Sequence, residues 1–432
     1  MKKTLITLGL IFCFIFCFIT TNVKADTITP PEINAEGCAL IDASTGKVLY
    51  EKNIGKIFEP ASTTKVMTTL IALEKCNLND EVTIQEDFTN IDGTAIGLLK
   101  GDVLTVHELL LGLLLESGND CANALAIHIS GSIEEFSKLM NIKAKELGAL
   151  NTNFKNPSGL PDPEHTTTPE DLALFMKEAI NNKDFMDIST TSSYKIAMIN
   201  NPERTILLNN KNYLINKNSK YYYKYAISGK NGYTTKSNHT YVAAAEKDGH
   251  ILVASFLNAL DKNQNFFDMA SVFNYGFDNF TSVPLYKKGE KIAEYKLNST
   301  LTIPLIAADD INYIAQKGEE TNVSPEIKLE DKDLSKESFN IGDKILKGTI
   351  YINDKEYLTI DLESGVSREY VSPMESIAST TTRPSFILPI IIIGVVIISA
   401  IYIKFSINRK SRKKRFKHLK KSLESRKNKS SK

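Results

Sequence analysis

The sequence predicts an α+β fold: a helical block packed on one antiparallel sheet, then a small β-rich domain, then a single apolar helix. Three observations predict it. Strand-like stretches open and close residues 33–283, with helical stretches between them. Residues 284–373 are more polar and carry a hairpin pattern. Phe386–Ile403 is 18 residues without a charge.

The first element is MKKTLITLGLIFCFIFCFITTNVKAD. Lys2 and Lys3 precede an apolar run from Leu5 to about Thr20, and Val23-Lys24-Ala25 resembles a small-residue cleavage site. That is the pattern of a secretory signal over residues 1–25, with an uncleaved anchor as the alternative. Cys38–Asn53 then reads as two strands around a Ser-Thr-Gly turn. A helix is expected from Ser62 to about Cys76, with Val66, Met67, Leu70, Ile71 and Leu73 at helical spacing. Leu104–Glu116 is apolar enough for a buried helix. It breaks at Ser117-Gly118-Asn119, after which helical spacing resumes. Glu134–Gly148 is amphipathic and ends on glycine, a common helix stop. TTTPEDLALFMKEAI has capping threonines, then proline and acids in its first turn.

After about residue 204 the pattern changes to strands. AISGKNGYTT, HTYVAAAE and HILVASFLNA read as three strands, with Lys247-Asp248-Gly249 as the hairpin turn. A helix from about Phe266 to Phe280 closes the domain. TIYINDKEYLTIDLES is a second hairpin, around Asn353-Asp354-Lys355, in the β domain expected at 284–373. Residues 374–385 read as a linker. Phe386–Ile403 spans roughly 27 Å as a helix, close to a bilayer core. Residues 404–432 form a basic tail with 14 Lys and Arg against the single acid Glu424. Basic residues gather on the cytoplasmic side of membrane segments, so the tail is expected inside and residues 26 to about 385 outside.

The whole chain is +1, so with +13 in the tail, residues 1–403 carry −12. The basic end is therefore local, and nucleic acid is not an expected partner. Cys38, Cys76 and Cys121 are too few and too scattered for a disulfide framework. The six histidines show no HExxH, and there is no CxxC. Neither a metal nor another cofactor is expected.

PASTTKVMT, Pro60–Thr68, places Ser62 and Lys65 three apart where a helix begins, so both side chains share a face. A hydroxyl beside an amine is a nucleophile beside its base. Ser44–Lys47, Ser192–Lys195 and Ser411–Lys414 repeat the spacing, so the pattern alone is weak. Two further stretches follow in order: Ser117-Gly118-Asn119 and Lys230-Asn231-Gly232. Each alone reads as a turn.

Together these stretches resemble the serine D-alanyl-D-alanine carboxypeptidases, the low-molecular-mass penicillin-binding proteins of peptidase family S11. AEGCALIDASTGKVLYEKN, PASTTKVMTTLIALE, LLLESGNDCANALAIHISGS, FKNPSGL and HTTTPEDLA resemble that family's stretches in its order, over residues 33–283. The polar β domain resembles its C-terminal domain more loosely. The resemblance implies the D,D-peptidase/β-lactamase-like fold and a wall enzyme of peptidoglycan biosynthesis, with bearing on cell shape. Its substrates would be peptidoglycan stem peptides and its inhibitors β-lactams. It implies catalytic roles for Ser62, Lys65 and Ser117, and substrate contacts for Asn119, Lys230, Asn231, Gly232 and Tyr233. Backbone N–H groups of Ser62 and Tyr233 would form the oxyanion hole.

Lys65 is a base only when neutral, and burial plus a second cation, Lys230, would remove its proton. Two departures stand out. The family has threonine where Asn231 stands, to hold the substrate's terminal carboxylate. It also commonly has an arginine before the closing helix, and Asp261–Ala270 holds none. The leading expectation is an extracytoplasmic serine D,D-carboxypeptidase, held at the membrane by one C-terminal helix. The alternatives are a D,D-endopeptidase or β-lactamase on the same fold, or a non-catalytic wall-binding module. The Glu-x-x-Leu-Asn pattern of class A β-lactamases is missing near Glu164 and Glu170.

Overall fold

The computed structural model describes residues 29–319, 323–370 and 384–427. The expected signal at 1–25 lies outside these residues, as do residues 374–383 of the expected linker. The chain divides into two compact units. The first gathers the chain up to Lys288 with Asp309–Glu326 and Tyr351–Leu358; the second holds Gly289–Ala308, Ile327–Ile350 and the chain from Thr359.

In the first unit, β1 (Ala35–Asp42) and β2 (Val48–Lys52) form the expected hairpin, with Leu40 opposite Tyr50. A 3-10 turn at Ala61–Thr64 runs into α1 (Lys65–Lys75). The short pair β3 (Glu81–Thr83) and β4 (Val103–Thr105) follows. The helix expected over Leu104–Glu116 is thus shorter. Thr105 and Glu108 form a capping box that starts α2 (Val106–Leu111), and Gly112–Glu116 widens into a π turn. Then come α3 (Asn119–Ser130), α4 (Ile133–Glu146), α5 (Pro169–Ala179) and α6 (Lys183–Thr190). The α5 helix starts as its sequence indicates: the Thr168 side chain accepts from the Asp171 N–H, and Pro169 takes the first turn.

A hairpin of β5 (Ser193–Met198) and β6 (Asn201–Asn209) precedes the three expected strands β7 (Ala226–Thr234), β8 (Asn238–Lys247) and β9 (His250–Ala259). The closing helix α7 (Lys262–Asn279) begins earlier than expected, because Asp261 caps it by accepting from the Asn263 and Gln264 N–H groups. The strand β10 (Phe280–Tyr286) follows it.

The main sheet is antiparallel with order β2-β1-β9-β8-β7, so β7 is an edge. Alternate residues face opposite ways. Ala39, Ile41, Val242, Ala244, Val253 and Leu257 join the core shared with the helical block α1–α6. Cys38, Leu40, Tyr241, Ala243, Leu252 and Phe256 join a second core with Phe266, Met269, Val272 and Phe273 of α7. Both faces are covered, which is why these strands read as nearly continuous apolar runs.

The second unit carries β11 (Lys291–Lys296) and β12 (Thr302–Ala307). β13 (Ile311–Gln316) pairs with β10 within the first unit. With β14 (Pro325–Leu329), β15 (Lys344–Ile352) and β16 (Lys355–Ser364) a five-stranded sheet forms, order β11-β12-β16-β15-β14. Its core is Ile303, Leu305, Leu334, Phe339, Ile345, Leu346 and Leu362. Asn353 and Asp354 take positive φ at the expected hairpin turn. A last helix, α8 (Pro384–Lys427), contains a stretch, Pro389–His418, long and apolar enough to cross a membrane.

Candidate active site

The expected helix start at Ser62 is a 3-10 turn, and its entry is strained. Ala61 sits at φ 48°, a conformation costly for a residue with a Cβ. Gly159 makes room for it: a Cβ there would lie 1.8 Å from the Ala61 carbonyl oxygen. Hydroxyls fix the turn. Thr63 Oγ1 donates to Pro60 O at 2.6 Å, and Thr240 Oγ1 on β8 donates to the same oxygen at 2.9 Å.

Lys65, at the first position of α1, is wholly buried. Its Nζ has three neighbours: Ser62 Oγ at 2.9 Å, Asn119 Oδ1 at 2.7 Å and the Ser158 carbonyl oxygen at 2.6 Å. Asn119 Oδ1 and Ser158 O only accept, so they take two N–H donors. Nζ also donates to Ser62 Oγ; in a neutral amine that contact reverses, with the hydroxyl donating to the lone pair. Burial holds the Lys65 amine well below its usual proton affinity, and the charge of Lys230 adds to this, against smaller opposing effects of Cys121 and Asp120.

Asn119 opens α3, where Ser117 turns the chain at φ 68° after the π turn. Its Nδ2 donates to Asp92 O at 2.7 Å, which fixes the amide so that Oδ1 faces Lys65. Asp120 is buried beside it and accepts from the N–H groups of Ile96, Gly97 and Leu98, tying that loop to the helix. On β7, Lys230 donates to Ser117 Oγ at 3.1 Å and to the Asn231 carbonyl oxygen at 2.7 Å. Burial lowers its pKa to about 7. Gly232 lets β7 lie against the turn, since a Cβ there would come 2.7 Å from the Ser62 amide nitrogen.

Ser62, Lys65, Ser117, Asn119, Lys230 and Gly232 thus meet in one place. The side chains of Asn231 and Tyr233 do not join that cluster: they line a neighbouring cavity, and the Tyr233 ring lies against that of His239, tilted by 33° with centroids 4.5 Å apart. The other Ser-x-x-Lys stretches fall away. Ser44 and Lys47 flank the β1–β2 turn, Lys195 is on β5, and Ser411 and Lys414 lie in α8. Glu170 is in the first turn of α5.

Sequence reasoning missed two parts. One is the Ser158 carbonyl. The other is His165, 1% exposed, behind the turn. Its Nδ1 accepts from the Lys155 N–H at 3.1 Å, so Nε2 carries the hydrogen and donates to Thr64 Oγ1 at 2.9 Å. Burial lowers its pKa to about 4, and Lys65 adds to this while Asp162 opposes it.

The arrangement sets the Ser62 hydroxyl against a buried amine, with a second hydroxyl–amine pair, Ser117 and Lys230, beside it. Comparisons with known proteins give the family. The family described as D-alanyl-D-alanine carboxypeptidase, Peptidase S11, matches residues 24–261. The C-terminal domain of penicillin-binding protein 5 matches residues 280–369. The D-alanyl-D-alanine carboxypeptidase DacF of Bacillus subtilis is 34% identical over 305 residues, covering 69% of this chain and 77% of that protein. DacB2 of Mycobacterium tuberculosis is 34% identical over 258 residues, 59% of this chain and 86% of the relative. The crystal structure of penicillin-binding protein 5 from Haemophilus influenzae superposes with a TM-score of 0.65 at 26% identity, over 78% of this chain and 98% of that one.

Proposed function

This chain belongs to the D-alanyl-D-alanine carboxypeptidase family, Peptidase S11, and from that membership we propose how its residues divide the hydrolysis. The substrate is a peptidoglycan stem peptide ending in D-Ala-D-Ala. Ser62 Oγ attacks the carbonyl carbon of the penultimate D-alanine while Lys65 Nζ takes the hydroxyl proton. The backbone N–H groups of Ser62 and Tyr233 receive the oxyanion. The C–N bond then breaks, and the proton taken by Lys65 passes through the Ser117 hydroxyl, held by Lys230, to the leaving D-alanine nitrogen, so that Lys65 is neutral again. An ester on Ser62 remains. Lys65 deprotonates a water, which attacks the ester and restores the serine. Asn119, Lys230, Asn231, Gly232 and Tyr233 hold the substrate along the β7 edge. The observation that carries this reading is the partner set of Lys65 Nζ: two pure acceptors and one hydroxyl.

The domain assignment goes with it: a signal at 1–25, the peptidase domain at 33–283, a β domain at 284–373, a linker at 374–385, a membrane helix at 386–403 and a cytoplasmic tail at 404–432. The apolar stretch of α8 and the basic residues after it support a catalytic domain held outside the membrane. External protease on protoplasts should trim the domain and spare the tail; a tail cut from outside overturns this topology. β-Lactams fit the same chemistry as acylating inhibitors of Ser62.

The test of function is mass spectrometry of D-alanine released from a pentapeptide, with fluorescent penicillin as a second readout. Release together with stable labelling, both lost in Ser62→Ala, is expected. Rapid turnover of penicillin would mean a β-lactamase, and no labelling an inert wall-binding module.

A further inference from the structure

The β1–β2 turn lies at the far end of the main sheet from Ser62. From Thr240, whose hydroxyl bonds Pro60 O, to Lys247 the strand β8 spans about 23 Å. Past that end, His250 Nε2 lies 3.0 Å from Asp42 Oδ2, and Asp42 Oδ1 accepts from the Thr45 N–H at 2.7 Å, which fixes the turn. Beside the turn opens a cavity of about 560 Å³, lined by Lys47, Tyr313, Asn353, Lys355, Glu356 and Tyr357. All of these residues belong to the first compact unit. The hydrolysis at Ser62 uses none of them.

The aromatic part of the lining is held from behind. Side chains take backbone groups of β13: Lys47 Nζ donates to Ile314 O at 2.8 Å, and the Tyr357 hydroxyl accepts from the Ile314 N–H at 3.0 Å and donates to Asn312 O at 3.1 Å. The Tyr313 and Tyr357 rings stand edge to face, with centroids 5.0 Å apart and planes at 64°. Lys47 Nζ lies 5.3 and 5.9 Å from the two centroids. The rings are therefore fixed before a ligand arrives, which spares it the cost of ordering them. The other polar groups are free. Among the described residues, the Tyr313 hydroxyl, the Asn353 amide, the Lys355 ammonium and the Glu356 carboxylate have no hydrogen-bond or ion-pair partner.

These groups select a class of ligand. Flat rings take the C–H face of a sugar, while the hydroxyl, amide and charged groups around them take its hydroxyls and N-acetyl groups. Ile352 is the one aliphatic side chain in the lining, too little for an apolar peptide or a lipid. The free charged groups are one of each sign, Lys355 and Glu356, which suits a neutral ligand over an anionic polymer. The volume falls in the range of small-ligand sites, with room for about two sugar rings. Peptidoglycan supplies such a ligand, since its stem peptides are carried on chains of N-acetylated amino sugars. Resting on the hydrolase reading, we propose that this cavity is a second, non-catalytic site that binds the glycan chain of peptidoglycan. Tyr313 and Tyr357 are its stacking rings, and Asn353, Lys355 and Glu356 its polar contacts. A stem peptide of five residues reaches at most about 18 Å, less than the span of β8. The glycan held here therefore lies beyond the peptide cleft and keeps the enzyme on the polymer between turnovers.

The test is binding of a peptide-free tetrasaccharide of alternating N-acetylglucosamine and N-acetylmuramic acid to the detergent-solubilised full chain. Saturation-transfer NMR and titration calorimetry read it. The unsubstituted protein should bind the sugar. Tyr313→Ala should weaken binding about tenfold and Tyr313→Phe should keep it, because the ring carries the stacking. Glu356 is exposed, so Glu356→Ala should fold normally, and it should weaken binding about fivefold. Fluorescent penicillin should label Ser62 equally in every variant. No binding by the unsubstituted protein, undiminished binding in both Tyr313→Ala and Glu356→Ala, or preference for a glycerol-phosphate oligomer overturns the assignment. Bound tetrasaccharide with no penicillin adduct on Ser62 would instead sink the hydrolase reading and leave this site standing.

Discussion

The two compact units bury different kinds of side chain. Among the described residues, the buried charged groups lie in the first unit, including Lys65, Asp120, Asp171 and Lys230. The core of the second unit is aliphatic and aromatic, and its buried polar residue, Ser364, is satisfied by the Val366 carbonyl at 2.6 Å. Burying charge is costly, so a core built only for shape avoids it. A fold that buries two lysines near one serine accepts that cost for chemistry. The contrast separates a reacting region from a shaping one.

The strongest way to break the contrast is Lys65→Ala. Without its base, Ser62 should be acylated by fluorescent penicillin about 10³-fold more slowly, with the fold retained by circular dichroism. Normal acylation would mean the buried amine has no task. Next comes the opposite substitution in the second unit. Leu362→Ala removes a fully buried side chain and should cost about 3 kcal/mol in denaturant unfolding. Acylation by penicillin should not change; a matching fall would make the second unit part of the chemistry.

His165 sharpens the comparison through pH. Its folded pKa is about 4 against an ordinary 6.5. Between those values the unfolded chain binds the proton and the folded one does not, so stability rises with pH there. The contribution is complete above 6.5 and is lost as pH falls to about 4, roughly 3 kcal/mol over the window. His165→Gln should flatten that slope in urea titrations; an unchanged slope would place the titration elsewhere. The smallest effect is a shift of profile. Lys230 depresses the proton affinity of Lys65. Removing its charge in Lys230→Gln should raise the Lys65 pKa and move the acid limb of acylation to higher pH. A limb that stays put would mean burial alone sets it.

Much of this was readable in the sequence, for identifiable reasons. The strands β7, β8 and β9 declare themselves by apolar runs joined at Lys247-Asp248-Gly249, because a tight turn needs residues that tolerate positive φ, and Asp248 and Gly249 do. The Ser62–Lys65 pair is legible because helical spacing puts both on one side. Other features leave little trace. The Ser158 carbonyl contributes backbone chemistry that any residue could supply. His165 is a lone histidine until the fold brings Thr64 to it. The π turn at Gly112–Glu116, which aims Ser117 and Asn119, has no composition of its own.

The most direct measurement is the protonation of one amine. With lysine labelled by 15N at Nζ and the Lys65 resonance assigned by its loss in Lys65→Ala, an NMR titration reads its pKa. A midpoint well below the ordinary 10.5, moving upward in Lys230→Gln, is the predicted result. A midpoint at 10.5 or above would leave Ser62 without a base and contradict the proposed division of labour.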